Sequence, residues 1–457
     1  MKQRRLFSAA WMGLLLAASV CRAGAPVGWR GDGTGRYPEA TPPVAWARDT
    51  NVVWKTKLPD WSNASPIIVR DRLFVCAEPA TLICLSLTDG RILWQATNTY
   101  FDILPPAESE KAREEAKQGG QVREKLRGLD GKLRELTEKL KKSPDDEALK
   151  AQVDPLKKEL EAAKTELKPL ETYLTPPTHG VNGYSSCTPT SDGRFVYVLY
   201  GNGVAACYDL KGNRRWARVV EKPTQDWGHS SSPLLVGDTL LVQIRQLTAL
   251  DAKTGATRWQ FATDQHWGSP VHARVGDSDV VMTAGGDAAR VSDGTGVVRR
   301  VSGLSYCAPI VQDGVAYFIE TGGKAVRLPE AVGSTNAPAV LWETKPDNDR
   351  YYASPVYLDG LIYAVNQKQV FSAIDAATGS IVYSNRLALG GTAYPSVTLA
   401  GKLLYVSSDN GATAVIEPGR EFKEVARNRL DEFRSTPVFL GKRMYVRTMK
   451  ELVCIGQ

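Results

Sequence analysis

Residues 51–457 alternate short apolar runs with polar turns, and the runs follow one repeated order. In the clearest copy, Leu234-Leu235-Val236 meets a turn at Gly237-Asp238. Apolar stretches at 239–244 and 247–250 follow, then Asp251-Ala252-Lys253-Thr254-Gly255 and Arg258-Trp259. A small residue and proline open each copy, at Ser65-Pro66, Thr188-Pro189, Ser232-Pro233, Ser269-Pro270, Ala308-Pro309, Ser354-Pro355, an inverted Pro395-Ser396, and Thr436-Pro437. Proline is tolerated at the first residue of a strand, where its missing N–H costs least. Successive prolines are separated by 123, 44, 37, 39, 46, 40 and 42 residues. A unit of about 40 to 50 residues made of short strands is the period of a propeller blade. The pattern therefore predicts an all-β chain, an eight-bladed β-propeller of four-stranded blades, with an insertion after the first.

The stretch Ala249-x-Asp251-x-x-Thr254-Gly255-x-x-x-Trp259 has relatives that end on Trp94, Trp216 and Tyr383, and Thr295-Gly296 with Arg300 stands in its place in blade 4. Blades 5 and 7 keep little of it. An aromatic at a fixed place on each outer strand would fill the wedge between blades, burying up to about 250 Å². The last copy stops at Gln457 before a fourth strand, and residues 51–58, with Trp54, read as that strand. We therefore expect the N-terminal strand to close blade 8 and leave the ring without a free end.

These Asp-x-x-Thr-Gly-x-x-x-Trp units resemble the quinoprotein-type repeats of pyrroloquinoline quinone (PQQ) dehydrogenases. They are equally similar to those of non-enzymatic relatives, including the propeller lipoprotein of the outer-membrane β-barrel assembly machinery. The resemblance implies the fold and leaves the activity open, because one fold hosts several functions. A dehydrogenase would need PQQ with a Ca²⁺ site of Glu, Asn and Asp and an Asp base, and none of these can be placed on residues of this chain. No cofactor is expected, with PQQ and Ca²⁺ as the alternative.

Between blades 1 and 2, residues 101–180 follow a different period. Val122, Leu126, Leu129, Leu133, Leu136 and Leu140 form one heptad seam, and Leu149, Val153, Leu156, Leu160, Ala163, Leu167 and Leu170 form a second. Ser143-Pro144-Asp145-Asp146 reads as the start of the second helix, and Gly119-Gly120 as a break in the first. The insertion is thus an α-helical coiled-coil hairpin. It is either a decorated loop whose seam is satisfied internally or a functional element, an arm that recruits a protein or a means of oligomerisation.

Residues 1–23 read as a secretory leader: Lys2, Arg4 and Arg5, an apolar core, then Cys21-Arg22-Ala23. The chain is accordingly expected to be exported, periplasmic or secreted, with lipid anchoring at Cys21 the less favoured reading because Val20 precedes it. Residues 24–50 read as an irregular lead-in lying over the ring. The net charge of +7 falls to +3 without the leader's four positive residues. Over residues 107–171 of the hairpin, acids and bases are equal in number, sixteen each. Neither balance suits a nucleic-acid partner, and no stretch suits a membrane span. The expected partners are envelope proteins, met by a propeller face or by the hairpin.

Six cysteines follow the leader. Cys84, Cys207 and Cys454 sit where other blades have alanine, and Cys187 and Cys307 sit just ahead of the small-Pro pair, so these read as buried free thiols. Cys76 reads as lying opposite Cys84. The histidines lack metal-ligand spacing. What varies is the segment ahead of each small-Pro pair, which carries Trp61, Asn63, Tyr184, Trp227, His229, His266, Trp267, Tyr306, Arg350, Tyr351, Tyr352, Tyr394 and Arg434. Such a rim would either bind a planar or anionic ligand or pack the loops over the ring.

Overall fold

The computed structural model describes residues 26–334 and 338–456. The leader read at residues 1–23 and Cys21 lie outside these residues. Eight antiparallel sheets form the ring. In blade 3 the strands Leu234–Val236, Thr239–Gln243, Leu247–Asp251 and Thr257–Phe261 follow one another outward in chain order. Blade 8 is closed by Val52–Lys57, which pairs with Glu451–Ile455.

The small residue ahead of each innermost strand has a specific task. Ser65 N–H donates to Thr188 Oγ1, Thr188 N–H to Ser232 Oγ, and Ser232 N–H to Ser269 Oγ, each at 3.0 Å. Ala308 N–H resumes the series on Ser354 Oγ, which continues through Ser396 and Thr436 back to Ser65 Oγ. This belt of seven bonds stitches blade to blade around the channel and lacks only the link that Ala308, without a hydroxyl, cannot provide. In blade 7 Ser396 holds the belt position, so Pro395 is not an inverted proline; Val397 simply stands where the other blades have Pro. Ala308→Ser should complete the belt. Its expected gain is about 0.5–1.5 kcal/mol, the ordinary net value of one hydrogen bond, read as a higher urea midpoint at unchanged slope.

The outer tryptophans join each blade to the next. Trp94 lies on Gly212, Trp216 on Gly255, Trp259 on Gly294 and Trp342 on Gly379, so close that an added Cβ would sit 2.6–2.8 Å from the indole. Each indole N–H donates to a carbonyl of that next blade, on Leu210, Ala252, Val291 and Ala376 respectively. On its own blade each faces a small residue across the ladder, Cys84, Cys207, Ala249 and Ala325, and Trp54 faces Cys454 in the same way. That pairing explains the cysteines as space-saving residues under an aromatic. All six are buried and free. Cys76 pairs with Leu82 and not with Cys84, because the hairpin between them turns over three residues.

Two blades depart from the sequence reading. In blade 4 the positive-φ turn glycine is Gly294, not Gly296, and Val298 rather than Arg300 takes the aromatic's place opposite Ala288. Blade 5, read as degenerate, carries a full docking tryptophan in Trp342.

The insertion is a pair of helices, Pro106–Lys142 and Glu147–Leu167, packed along Val122, Leu129, Leu160, Ala163 and Leu167. Asp146, and not Ser143, caps the second helix, accepting from Ala148 N–H and Leu149 N–H. The first helix runs unbroken through Gly119-Gly120. Gly119 is buried, and the lack of a side chain lets Leu170 approach to where a Cβ would meet it at 3.1 Å.

The lead-in lies over one end of the ring. Val27 exchanges backbone bonds with Ser191 of blade 2, Arg36–Tyr37 adds a parallel strand inside blade 7, and Thr41 N–H reaches Gly441 O of blade 8. These contacts lie at the ends of innermost strands away from the belt, so the lead-in crosses the far end of the channel.

Candidate functional site

The loops ahead of the innermost strands converge on one mouth of the channel. They enclose a cavity of roughly 340 Å³ whose floor is Trp29 and the hydroxyl belt. Eight of the residues read from the sequence line it: Asn63, Trp227, Trp267, Tyr306, Arg350, Tyr352, Tyr394 and Arg434. Half of the wall is a continuous run of rings. Trp267 stacks on Tyr306 at 5.6 Å, Tyr306 meets Tyr352 edge-on at 5.0 Å, and Tyr352 stacks on Tyr394 at 5.1 Å. Arg434 lies over Tyr394 at 5.6 Å, and Arg350 Nη1 stands 3.5 Å from Tyr352 Oη.

The opposite wall comes from the chain returning from the helical hairpin. Val181 O accepts from Asn63 Nδ2 at 2.7 Å and from Arg434 Nη1 at 3.1 Å, and Asn182 Nδ2 donates to Trp227 O. Trp227, 55% exposed, forms the lip, with the His179 ring tilted against it at 4.1 Å. The insertion is therefore part of the mouth. Lys222 fixes its base by donating to the carbonyls of Glu171, Thr172 and Leu174.

The other five residues do not reach the cavity. Tyr351 is fully buried in the core between blades. His229 is also fully buried, with Nε2 3.2 Å from Ser231 O, and burial pushes its imidazole down to about 4. His266 packs against Gly285, its pKa lowered by burial. Trp61 and Tyr184 hold the loop beside Glu78, Tyr184 Oη donating to Pro176 O at 2.8 Å.

Two carboxylates serve the mouth from behind. Glu78 accepts from the N–H groups of Tyr184 and Ser185 and from Ser185 Oγ. Glu320 accepts from the N–H groups of Ser305, Tyr306 and Cys307 at 2.7–2.9 Å, which aims Tyr306 into the ring of aromatics. Burial raises both carboxyl pKa values, and the N–H donors oppose it.

The sequence reading missed Trp29, Asn182, Ser186, Ser230 and the belt hydroxyls as lining residues. The belt had a visible signal, since seven of the eight small residues are Ser or Thr. Trp29 had none.

The lining holds two guanidinium groups and no carboxylate, imidazole or amine. Among the described residues no cluster of His, Cys, Asp or Glu could hold a metal. Ca²⁺ takes six to eight oxygen ligands, carboxylates foremost. The mouth offers hydroxyls, amides and a carbonyl instead, and two positive charges, so its residues do not fit a Ca²⁺–PQQ site.

The comparisons with known proteins agree with this architecture. The family model for outer membrane protein assembly factor BamB matches residues 43–136, 171–301 and 290–420. Among solved structures, BamB from Moraxella catarrhalis is similar at a TM-score of 0.56 and 13% identity, covering 88% of this chain and 99% of that one. A europium-containing methanol dehydrogenase is similar at 0.53 and 12%, covering 86% and 84%. The quinohemoprotein alcohol dehydrogenase ADHIIG from Pseudomonas putida HK5 follows at 0.51 and 11%, covering 91% and 78%. At such identities these likenesses concern the fold alone. No curated protein matches the chain by sequence. With the model matched over most of its length, the chain belongs to the family of outer membrane protein assembly factor BamB.

Proposed function

We propose that this protein is an exported, non-enzymatic propeller that acts as a binding scaffold in the cell envelope. The observation that carries the reading is the chemistry of the mouth. Oxidation of an alcohol on a quinone needs a base to take the hydroxyl proton and a cation to polarise the cofactor. No side chain lining this cavity could act as that base, and none is a metal-binding carboxylate. The assembly role in the family's name supports a protein-binding scaffold, and the helical hairpin supplies an arm with charged, solvated faces for such contacts.

A titration with PQQ and Ca²⁺ tests this. A ligand specific for the folded state raises the melting temperature by mass action. We expect no saturable rise; one that requires both components would establish the quinoprotein reading instead. The arm is tested by replacing residues 131–158 with a short turn, which leaves the packed base around Val122, Leu129, Leu160 and Leu167 in place. The shortened protein should melt as the full chain does and lose its envelope partner in cross-linking; retained cross-links would remove the arm from the proposal.

A further inference from the structure

We infer that the mouth cavity is a metal-free site for an organic anion, a carboxylate carried beside a flat apolar group. This rests on the non-enzymatic reading of the same cavity and adds its ligand class. The charge is one-sided: Arg350 and Arg434 line the space, no carboxylate does, and neither arginine forms an ion pair among the described residues. Arg434 spends one of its five N–H groups on Val181 O, and Arg350 lies beside the Tyr352 hydroxyl, so both keep donors for a ligand.

The arrangement is also selective. The two guanidinium groups stand at the ends of the stacked pair Tyr352 and Tyr394. A flat apolar group laid on those rings would place an attached carboxylate within reach of an arginine, where charge-assisted bonds are the strong ones. The floor adds donors. Each belt hydroxyl accepts one backbone N–H and keeps its proton to donate. The two guanidinium charges repel a cation, while an oxyanion meets donors on the wall and the floor.

The test uses the whole protein and two matched probes, N-acetyltryptophan and its carboxamide, with binding followed by calorimetry. The acid is expected to bind at least tenfold more tightly than the amide and to weaken as salt is raised. A variant with Arg350→Met and Arg434→Met should abolish the preference, and Arg434→Lys, which keeps the charge, should retain most of it. Unchanged melting of the variants separates lost binding from lost folding. The tripeptide Gly-Gly-Trp, with a free or amidated end, identifies the source: tighter binding than N-acetyltryptophan points to a chain terminus, equal binding to a free acid. Equal affinity for acid and amide would overturn the anion site while leaving the scaffold reading intact. A requirement for Ca²⁺ in PQQ binding would overturn both.

Discussion

Replacing Trp342 with alanine should cost about 3–5 kcal/mol of folding stability, the range for truncating a buried tryptophan. Trp342 is 8% exposed, and its indole spans the seam between blades 5 and 6. The change removes packing on Gly379 and leaves Ala376 O, 2.9 Å from the indole nitrogen, without its donor. Gly379 supplies the matching test. It sits at φ +74°, where an L side chain costs roughly 1–2 kcal/mol, and an added Cβ would also lie 2.6 Å from the indole. Gly379→Ala should therefore be worse in the native protein than in the Trp342→Ala background, where only the backbone cost remains. Equilibrium urea unfolding of the two single variants and the double variant gives the coupling, expected at about 0.5–3 kcal/mol for residues in contact. Strict additivity would mean that the indole does not dock on the glycine.

That pair also shows why blade 5 was misread. In the linear motif Thr-Gly-x-x-x-Trp, glycine and tryptophan look like partners, yet each belongs to a different contact. The tryptophan reaches forward to the next blade's glycine, and the glycine receives the previous blade's tryptophan. In blade 5 the outer strand Ala339–Thr344 starts well after Gly323–Arg327 ends, so the local spacing is lost while the contact with Gly379 survives. Blade count and closure by residues 51–58 were legible because a unit of about 40 to 50 residues repeats along the chain, and the helical seam because its apolar residues recur at helical spacing.

The mouth was legible only in part. Its aromatic and arginine wall stands out because the repeat is regular and these positions break it. Tyr351 and His229 break it equally and point into the core, since neighbouring residues on an extended segment face opposite ways. The floor could not be read. Trp29 and Arg30 meet strands hundreds of residues away, and Arg30 does so through carbonyl oxygens, which every residue has. Partners of that kind leave no trace in composition or spacing.

Arg30→Ala should destabilise the ring by about 3 kcal/mol or more. Arg30 is 3% exposed and reaches Pro355 O of blade 6 and Val397 O of blade 7, each at 2.8 Å, so one guanidinium ties the innermost strands of two blades to the lead-in. Bonds from a charged donor contribute about 1.5–3 kcal/mol each, and truncation leaves both carbonyls and a void. The charge itself is costly. Burial lowers the Arg30 pKa to about 10, and Nε has no partner among the described residues. Arg30→Met refills the space and removes the desolvated charge, so it should cost less than Arg30→Ala, as replacement of buried ions by apolar groups often does. Urea midpoints of the two variants decide the matter. The order alanine below methionine below native identifies Arg30 as a tie between blades. Equal and small losses would show instead that the parallel strand Arg36–Tyr37 and the Val27 bridge hold the lead-in by themselves. Because Trp29 immediately precedes Arg30 and forms the floor of the mouth, a true tie should also shift Trp29 emission to the red in the alanine variant, joining the far end of the channel to the site above it.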